Sequence, residues 1–252
     1  MLPHPVAEHL RDLKLTGMLH AWQEQQQLPD AHTLTFDERF GLLVDREVTE
    51  RANRRLQTHL KRAKLRHDAC LEDIDYGAPR GLDQALLLSL ASCQWIRDHH
   101  NCIITGPTGS GKSYLACALA QKACREGLTA LYLRVPRLFQ ELALARAEGR
   151  YPKLLAAYAK TQVLILDDWA MARLTDEQRR DLFEVIEDRY DRRATILTSQ
   201  VPVKQWYDAI GDPTLADAIL DRLVHNAYII TLKGDSLRKT KKQLTSPPEV
   251  RQ

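Results

Sequence analysis

The chain has 252 residues, 44% of them hydrophobic and 27% charged, enough apolar mass for a buried core, which excludes disordered, collagen-like and mucin-like classes. Lys and Arg number 36 and Asp and Glu 33, so the net charge of +3 does not identify a partner by itself. No apolar run approaches the ~18 residues of a bilayer crossing, and Pro3, His4, Pro5 and Glu8 stand where a secretory leader would be apolar, so the cytoplasm is the expected location.

Residues 8 to 67 read as helical, with apolar positions at three and four spacing (Leu10, Leu13, Met18, Leu19, Trp22, then Phe36, Phe40, Leu43, Val44) and a break at Pro29 and Thr33 to Asp37. The expectation is a small all-helical domain over 1–67. Its last stretch, 51 to 66 (RANRRLQTHLKRAKLR), has seven basic residues and no acid. On a helical wheel Arg51, Arg55, Arg62 and Arg66 fall within about 60° of one another, beside an apolar stripe of Ala52, Leu56, Leu60 and Ala63. That pattern suits a row of guanidiniums against the backbone of double-stranded DNA, without base-edge readout; the alternative is a solvated face.

Gly77, Pro79 and Gly81 mark a linker over 68–82. Over 83–240 short β-rich runs (102–105, 129–133, 163–167, 194–198, 227–232) alternate with helical segments (112–126, 136–147, 151–160, 175–190, 214–224). Strands apolar on both faces and separated by helices predict an α/β fold, a parallel sheet flanked by helices. Residues 241–252 read as a loose basic tail with Ser246, Pro247 and Pro248. Cys70, Cys93, Cys102, Cys117 and Cys124 form no CxxC pair, which argues against a disulfide framework or zinc site and for packed thiols. His99 and His100 lack ligand spacing and are expected at the surface; the Trp and Tyr residues are expected in the core or an interface.

Gly106, Pro107, Thr108, Gly109, Ser110, Gly111, Lys112 and Ser113 satisfy G-x-x-x-x-G-K-[ST] between a strand and a helix opening at Tyr114. Glycines let backbone N–H groups converge on phosphates, the helix N-terminus adds partial positive charge, Lys112 reaches the outer phosphates and the Ser113 hydroxyl suits Mg2+. Gly106 to Tyr114 therefore form the candidate ATP-binding set. The run Val163 to Leu166 leads into Asp167, a candidate for holding Mg2+, and Asp168, a candidate for polarising the attacking water. Thr198, Ser199 and Gln200 end the next strand, where a polar side chain could orient that water.

These motifs, with APRGLD (78–83), LILDDW (164–169), IEDRY (186–190) and above all GDPTLADAILDRLVHNA (211–227), resemble AAA+ P-loop NTPases, specifically the IstB-like transposition helper ATPases of bacterial insertion sequences, relatives of the DnaC helicase loaders. The resemblance implies ATP hydrolysis at Lys112, Ser113, Asp167 and Asp168, a first sensor at Thr198 or Ser199 and an arginine finger at Arg222, with Arg192 and Arg193 as alternatives. It implies a second sensor at Arg238. It also implies a homo-oligomer, ring or helical, that binds double-stranded DNA and serves a cognate transposase, with no membrane partner. One departure is Trp169-Ala170 where the family has an aromatic-Gly pair, which puts a left-handed backbone there in question. From spacing alone, Arg222 reads as a salt-bridge partner on an amphipathic helix, with Asp217 as the candidate acid. A DnaC-like helicase loader and a small-molecule kinase are the competing readings.

Overall fold

The computed structural model describes residues 4–29, 33–77, 80–234 and 236. The chain divides between Thr58 and His59 into two compact units.

The first unit holds α1 (Pro5–Asp12), α2 (Thr16–Gln27) and most of α3 (Phe36–Ala63). His4 caps α1 by accepting from the Val6 amide, with Pro5 at the first helical position. Lys14 at φ 56 then breaks the chain before α2. No local side chain caps α2; Glu47 of α3 does so instead, its Oε2 accepting from the amides of Gly17 at 2.7 Å and Met18 at 3.2 Å. Contact is so close that a Cβ on residue 17 would sit 2.6 Å from the Glu47 Cα, which only glycine avoids. Burial opposes ionisation of Glu47, but Arg51 and the two amides outweigh it and hold the carboxyl below the usual glutamate range.

In the second unit the chain leaves α3 at Ala63, four residues before the helical reading ended. Lys64 reverses the backbone at φ 50, and Ala63 and Ala69, both fully buried, pin the segment on either side. Arg66 therefore leaves the predicted basic row. The leucine-rich stretch before the first strand, to which the sequence assigned no element, forms α4 (Gln84–Ala91), capped by Asp83, and the short α5 (Gln94–Arg97). His99 and His100 are half-buried rather than on the surface, His100 lying against Tyr228 at 5.8 Å.

Five parallel strands follow, β1 (Asn101–Thr105), β2 (Ala130–Arg134), β3 (Val163–Trp169), β4 (Ala194–Ser199) and β5 (Ala227–Thr231), in the order β2-β3-β4-β1-β5. The helices are α6 (Lys112–Arg125), α7 (Val135–Ala147), α8 (Tyr151–Lys160), α9 (Asp176–Glu187), α10 (Trp206–Ile210) and α11 (Pro213–Val224). The predicted α/β class is what folds, and α9 ends three residues before its predicted limit. Side chains alternate across the strands. Ile103, Leu164, Leu166 and Leu197 join Leu138, Leu142, Leu182, Val185, Ile219 and Leu223 in the core beneath α7, α9 and α11. The alternate positions, Cys102, Ile104, Ile165 and Ile196, are fully buried on the face opposite. There six of the nine buried residues of α6 are Ala or Cys, small residues that let it lie close over the strands it contacts. All five cysteines are free, four buried and Cys70 half-buried; Trp95, Trp169 and Trp206 are core.

Candidate functional site: a phosphate loop facing a buried carboxylate

Parallel strands bring all their C-terminal ends to one edge, the edge where open α/β sheets bind ligands. The loop after β1, the carboxylates ending β3 and the hydroxyls ending β4 meet there. Because β4 lies between β1 and β3, Thr198 stands between the phosphate loop and Asp167.

The loop has Gly106, Gly109 and Gly111 at φ 148, 84 and 98. A Cβ on residue 106 would lie 2.5 Å from the Leu232 carbonyl oxygen, so sterics as well as backbone angle demand glycine. Lys112 Nζ donates to the Gly106 and Pro107 carbonyls, both at 2.8 Å, which holds the ammonium over the loop. Thr108 donates to Gln200 Oε1 at 2.6 Å and ties the loop to the end of β4. Ser110 is fully buried, whereas Tyr114 points away, its ring 6.2 Å from that of His67.

Asp167 has no solvent exposure. Ser113 donates to both its oxygens, at 2.8 and 3.0 Å, and Thr198 and Tyr132 donate one hydroxyl each. Arg66 Nη1 lies 3.6 Å from Oδ2. Burial and the Asp167 hydrogen bond raise the Tyr132 phenol well above its usual range, so Tyr132 stays a donor. The pair Ser113 and Asp167 offers hard oxygen donors beside the loop. Among the described residues no group of three or more His, Cys, Asp or Glu forms a metal cage. Such a donor set fits a small divalent cation arriving with a phosphate chain.

Adjacent strand residues normally face opposite sides, yet both aspartates serve this edge. The pairing of β3 with β4 slips between Leu166 and Trp169, a bulge that re-aims Asp168, whose φ is 62. Its amide donates to Thr198 Oγ1 at 3.3 Å and its carboxylate pairs with Arg134 Nε at 2.8 Å. Ala170 also takes φ 58, so the left-handed backbone that the Trp169-Ala170 departure put in question is adopted without glycine. Of the two sensor candidates, Thr198 joins the acid cluster, and Ser199 turns the other way to donate to the Trp169 carbonyl at 2.8 Å.

Arg222 lies at the opposite edge. Asn101, the first residue of β1, donates to the Arg222 and Leu223 carbonyls at 3.1 and 3.2 Å, while the phosphate loop follows the strand's last residue. The guanidinium pairs with Glu187, rather than Asp217, donates to the Ala218 carbonyl at 2.9 Å and stacks over Phe183 and Tyr190. Arg192 is exposed and Arg193 half-buried nearby; Arg238 lies outside the described residues, as does the 241–252 segment.

The basic row expected on α3 is divided. Arg51 Nε binds Glu47 Oε1 at 2.5 Å, an acid just outside the acid-free window, so this guanidinium serves packing in the helical unit. Arg55 is exposed. Arg62 lines a cavity of about 450 Å3 with His59, Lys64 and Lys160, and Arg66 has joined the carboxylate site.

Sequence reasoning missed Tyr132, Arg134 and the placement of Arg66. A signal for the first two was present: β2 alternates Leu131 and Leu133 with Tyr132 and Arg134, polar groups at every second position of a strand inside an apolar sheet. For Arg66 there was none, because Lys64 is not a residue that announces a reversal.

The family of IstB-like ATP binding proteins matches residues 8–245. The insertion sequence ATP-binding protein y4pL of Sinorhizobium fredii is 51% identical over 243 residues, covering 96% of this chain and 99% of that protein. A second from the same organism, y4uH, is 44% identical over 250 residues, covering 99% of each. In three dimensions the crystal structure of DnaI superposes with a TM-score of 0.57 at 22% identity, covering 66% of this chain and 91% of that one, a likeness of fold. The sheet order and phosphate loop are those of a P-loop AAA+ ATPase. With a phosphate-loop motif in place at the sheet edge and relatives matched along nearly its full length, the chain belongs to the IstB-like ATP-binding proteins of insertion sequences.

Proposed function

We propose that the chain is an oligomeric, DNA-engaging ATPase that helps the transposase of its insertion sequence engage target DNA. ATP and Mg2+ bound at the phosphate loop stabilise an assembly on double-stranded DNA, and hydrolysis releases it. Ser113 and Asp167 would hold Mg2+, Lys112 the outer phosphates, and Asp168, once freed from Arg134, would accept the proton of the attacking water. Among the described residues no helix is long and apolar enough to cross a membrane, and we assign the activity to the cytoplasm, where the DNA is.

The observation that carries the oligomeric reading is the position of Arg222. It sits at the start of β1 and the phosphate loop at its end, roughly 13 Å of strand apart. A cation there can complete only another copy's phosphate site. DNA contact is supported by Arg62, Lys64 and Lys160 around one cavity; with no base-edge readers beside them, binding should be insensitive to sequence and steeply salt-dependent, with a slope near 0.9 per neutralised phosphate.

Mixing variants tests the assembly. Arg222→Ala and Lys112→Ala are each inactive alone, but a mixed interface joins the intact phosphate site of the first to the intact Arg222 of the second. Partial ATPase recovery on DNA is the expected result. Full activity of Arg222→Ala alone, or no recovery in verified mixed assemblies, would move the finger to Arg192 or Arg193. Preference for single strands over long duplex would favour the helicase-loader reading.

A further inference from the structure

A carboxylate offers about four acceptor positions. At Asp167 three are taken by the hydroxyls of Ser113, Thr198 and Tyr132, and the Arg66 guanidinium stands over the fourth at an ion-pair distance of 3.6 Å. A water held by a metal ion can reach that fourth position only if the cation over it moves, so one of the four groups must yield when such a water arrives. Three of the four are anchored: Ser113 on α6, Thr198 on β4 and Tyr132 on β2, each within a packed element. Arg66 is not. It lies on irregular chain beyond the end of α3, and its side chain remains 41% exposed although its partner is completely buried.

We propose that Arg66 is an internal cation that occupies Asp167 and is displaced when Mg2+·ATP binds, so that nucleotide binding moves the segment immediately after α3. Two physical arguments give the direction. Arg66 is the least restrained of the four donors, and it is the one whose charge repels a dication placed between Ser113 and Asp167. The Tyr132 hydroxyl beside it raises the guanidinium's pKa further, so Arg66 keeps the charge that a dication must displace. Linkage makes the effect reciprocal: whatever draws residues 64 to 66 away from Asp167 strengthens metal-dependent nucleotide binding. Arg62 and Lys64 border the cavity beside β2 and immediately precede Arg66, so a ligand gripping those bases is placed to do so. The proposal rests on Ser113 and Asp167 as the metal pair.

The test is a Mg2+ titration of fluorescent ATP-analogue binding to the full chain. Arg66→Met should lower the Mg2+ concentration at half-maximal binding by about tenfold, while Arg66→Lys, which keeps the charge, should stay near the parent. Metal-independent binding by the parent would refute the Ser113 and Asp167 assignment itself. Metal-dependent binding with an unchanged or raised midpoint in Arg66→Met would refute the displacement alone. A second measurement needs no substitution: amide hydrogen exchange at residues 64 to 69 of the parent should accelerate with ATP and Mg2+ relative to ATP with chelator. Equal exchange in the two conditions overturns the proposal.

Discussion

The two edges of the sheet each bury a charge, and they satisfy it differently. At the phosphate edge Asp167, with no exposure, is held by side-chain hydroxyls from three elements and by one arginine. Toward the other edge Arg189, 1% exposed, binds the backbone carbonyls of Tyr158 at 2.5 Å, Thr161 at 2.7 Å and Ala194, with the Thr195 hydroxyl at 3.1 Å, and no carboxylate among the described residues. Burial, reinforced by the nearby Arg193 charge, pushes Arg189 down to about 9, which leaves it charged at neutral pH. The first arrangement includes a half-exposed arginine that can be displaced, so it can admit a ligand. Carbonyls of α8, the lead to β3 and the start of β4 cannot, so the second is a staple. We assign the charge ringed by side chains to chemistry and the one ringed by backbone to the fold.

The sharpest test of that division is Asp168→Asn. Asparagine tolerates the left-handed backbone at φ 62, so the fold should survive while the proton acceptor is lost. ATPase turnover should fall roughly 10³-fold, with ATP affinity and thermal midpoint near the parent, as read by steady-state kinetics beside calorimetry. Wild-type turnover would remove Asp168 from the chemical edge.

Arg189→Met should do the reverse. It strands three carbonyls in the interior, at a cost of about 3 to 5 kcal/mol in denaturant unfolding, while the folded fraction binds ATP as tightly as the parent. Loss of nucleotide affinity at unchanged stability would erase the contrast between the edges.

Glu47 extends the comparison to the helical unit, since it too is a buried charge held by backbone groups, here amides. Glu47→Ala should cost about 2 kcal/mol. The Glu47 pKa is lowered in the folded state, so its ionic contribution is fully present above the ordinary glutamate value of 4.5 and is lost as pH falls through the lowered one. The stability gap between the parent and Glu47→Gln should therefore close in acid; a gap that widens there contradicts the assignment.

The smallest effect concerns Ala170. Relieving its left-handed backbone with glycine recovers about 1 to 2 kcal/mol, offset by about 0.5 to 1 of added chain entropy. Ala170→Gly should thus be stabilising by at most about 1.5 kcal/mol in thermal unfolding, and a clear loss of stability would show that the methyl packs usefully.

The phosphate edge was legible because its chemistry is written locally. Gly106 to Ser113 lie in one turn, the apolar run of β3 leads straight into Asp167 and Asp168, and the alternation of strands and helices dictates a parallel sheet whose C-terminal ends share one edge. Whether Thr198 or Ser199 faced the acids was not legible, because strand alternation makes them point opposite ways and only the pairing of β4 with β3 says which. The bulge that brings Asp168 to the same edge is likewise a property of two strands.

Sequence by itself thus determined the α/β P-loop fold, the candidate phosphate edge and the family, all of which depend on residues near one another in the chain. Tertiary structure decided the fate of the arginines. Arg51, Arg62 and Arg66, one row on a wheel, go respectively to a carboxylate in the helical unit, a basic cavity rim and the buried Asp167, and Arg189 becomes an interior staple. A long charged side chain takes its role from the partner it meets, and those partners lie 100 residues away for Arg66 and on different elements for Arg189. Local periodicity records which way a side chain leaves its helix, and the packed fold decides what it finds there.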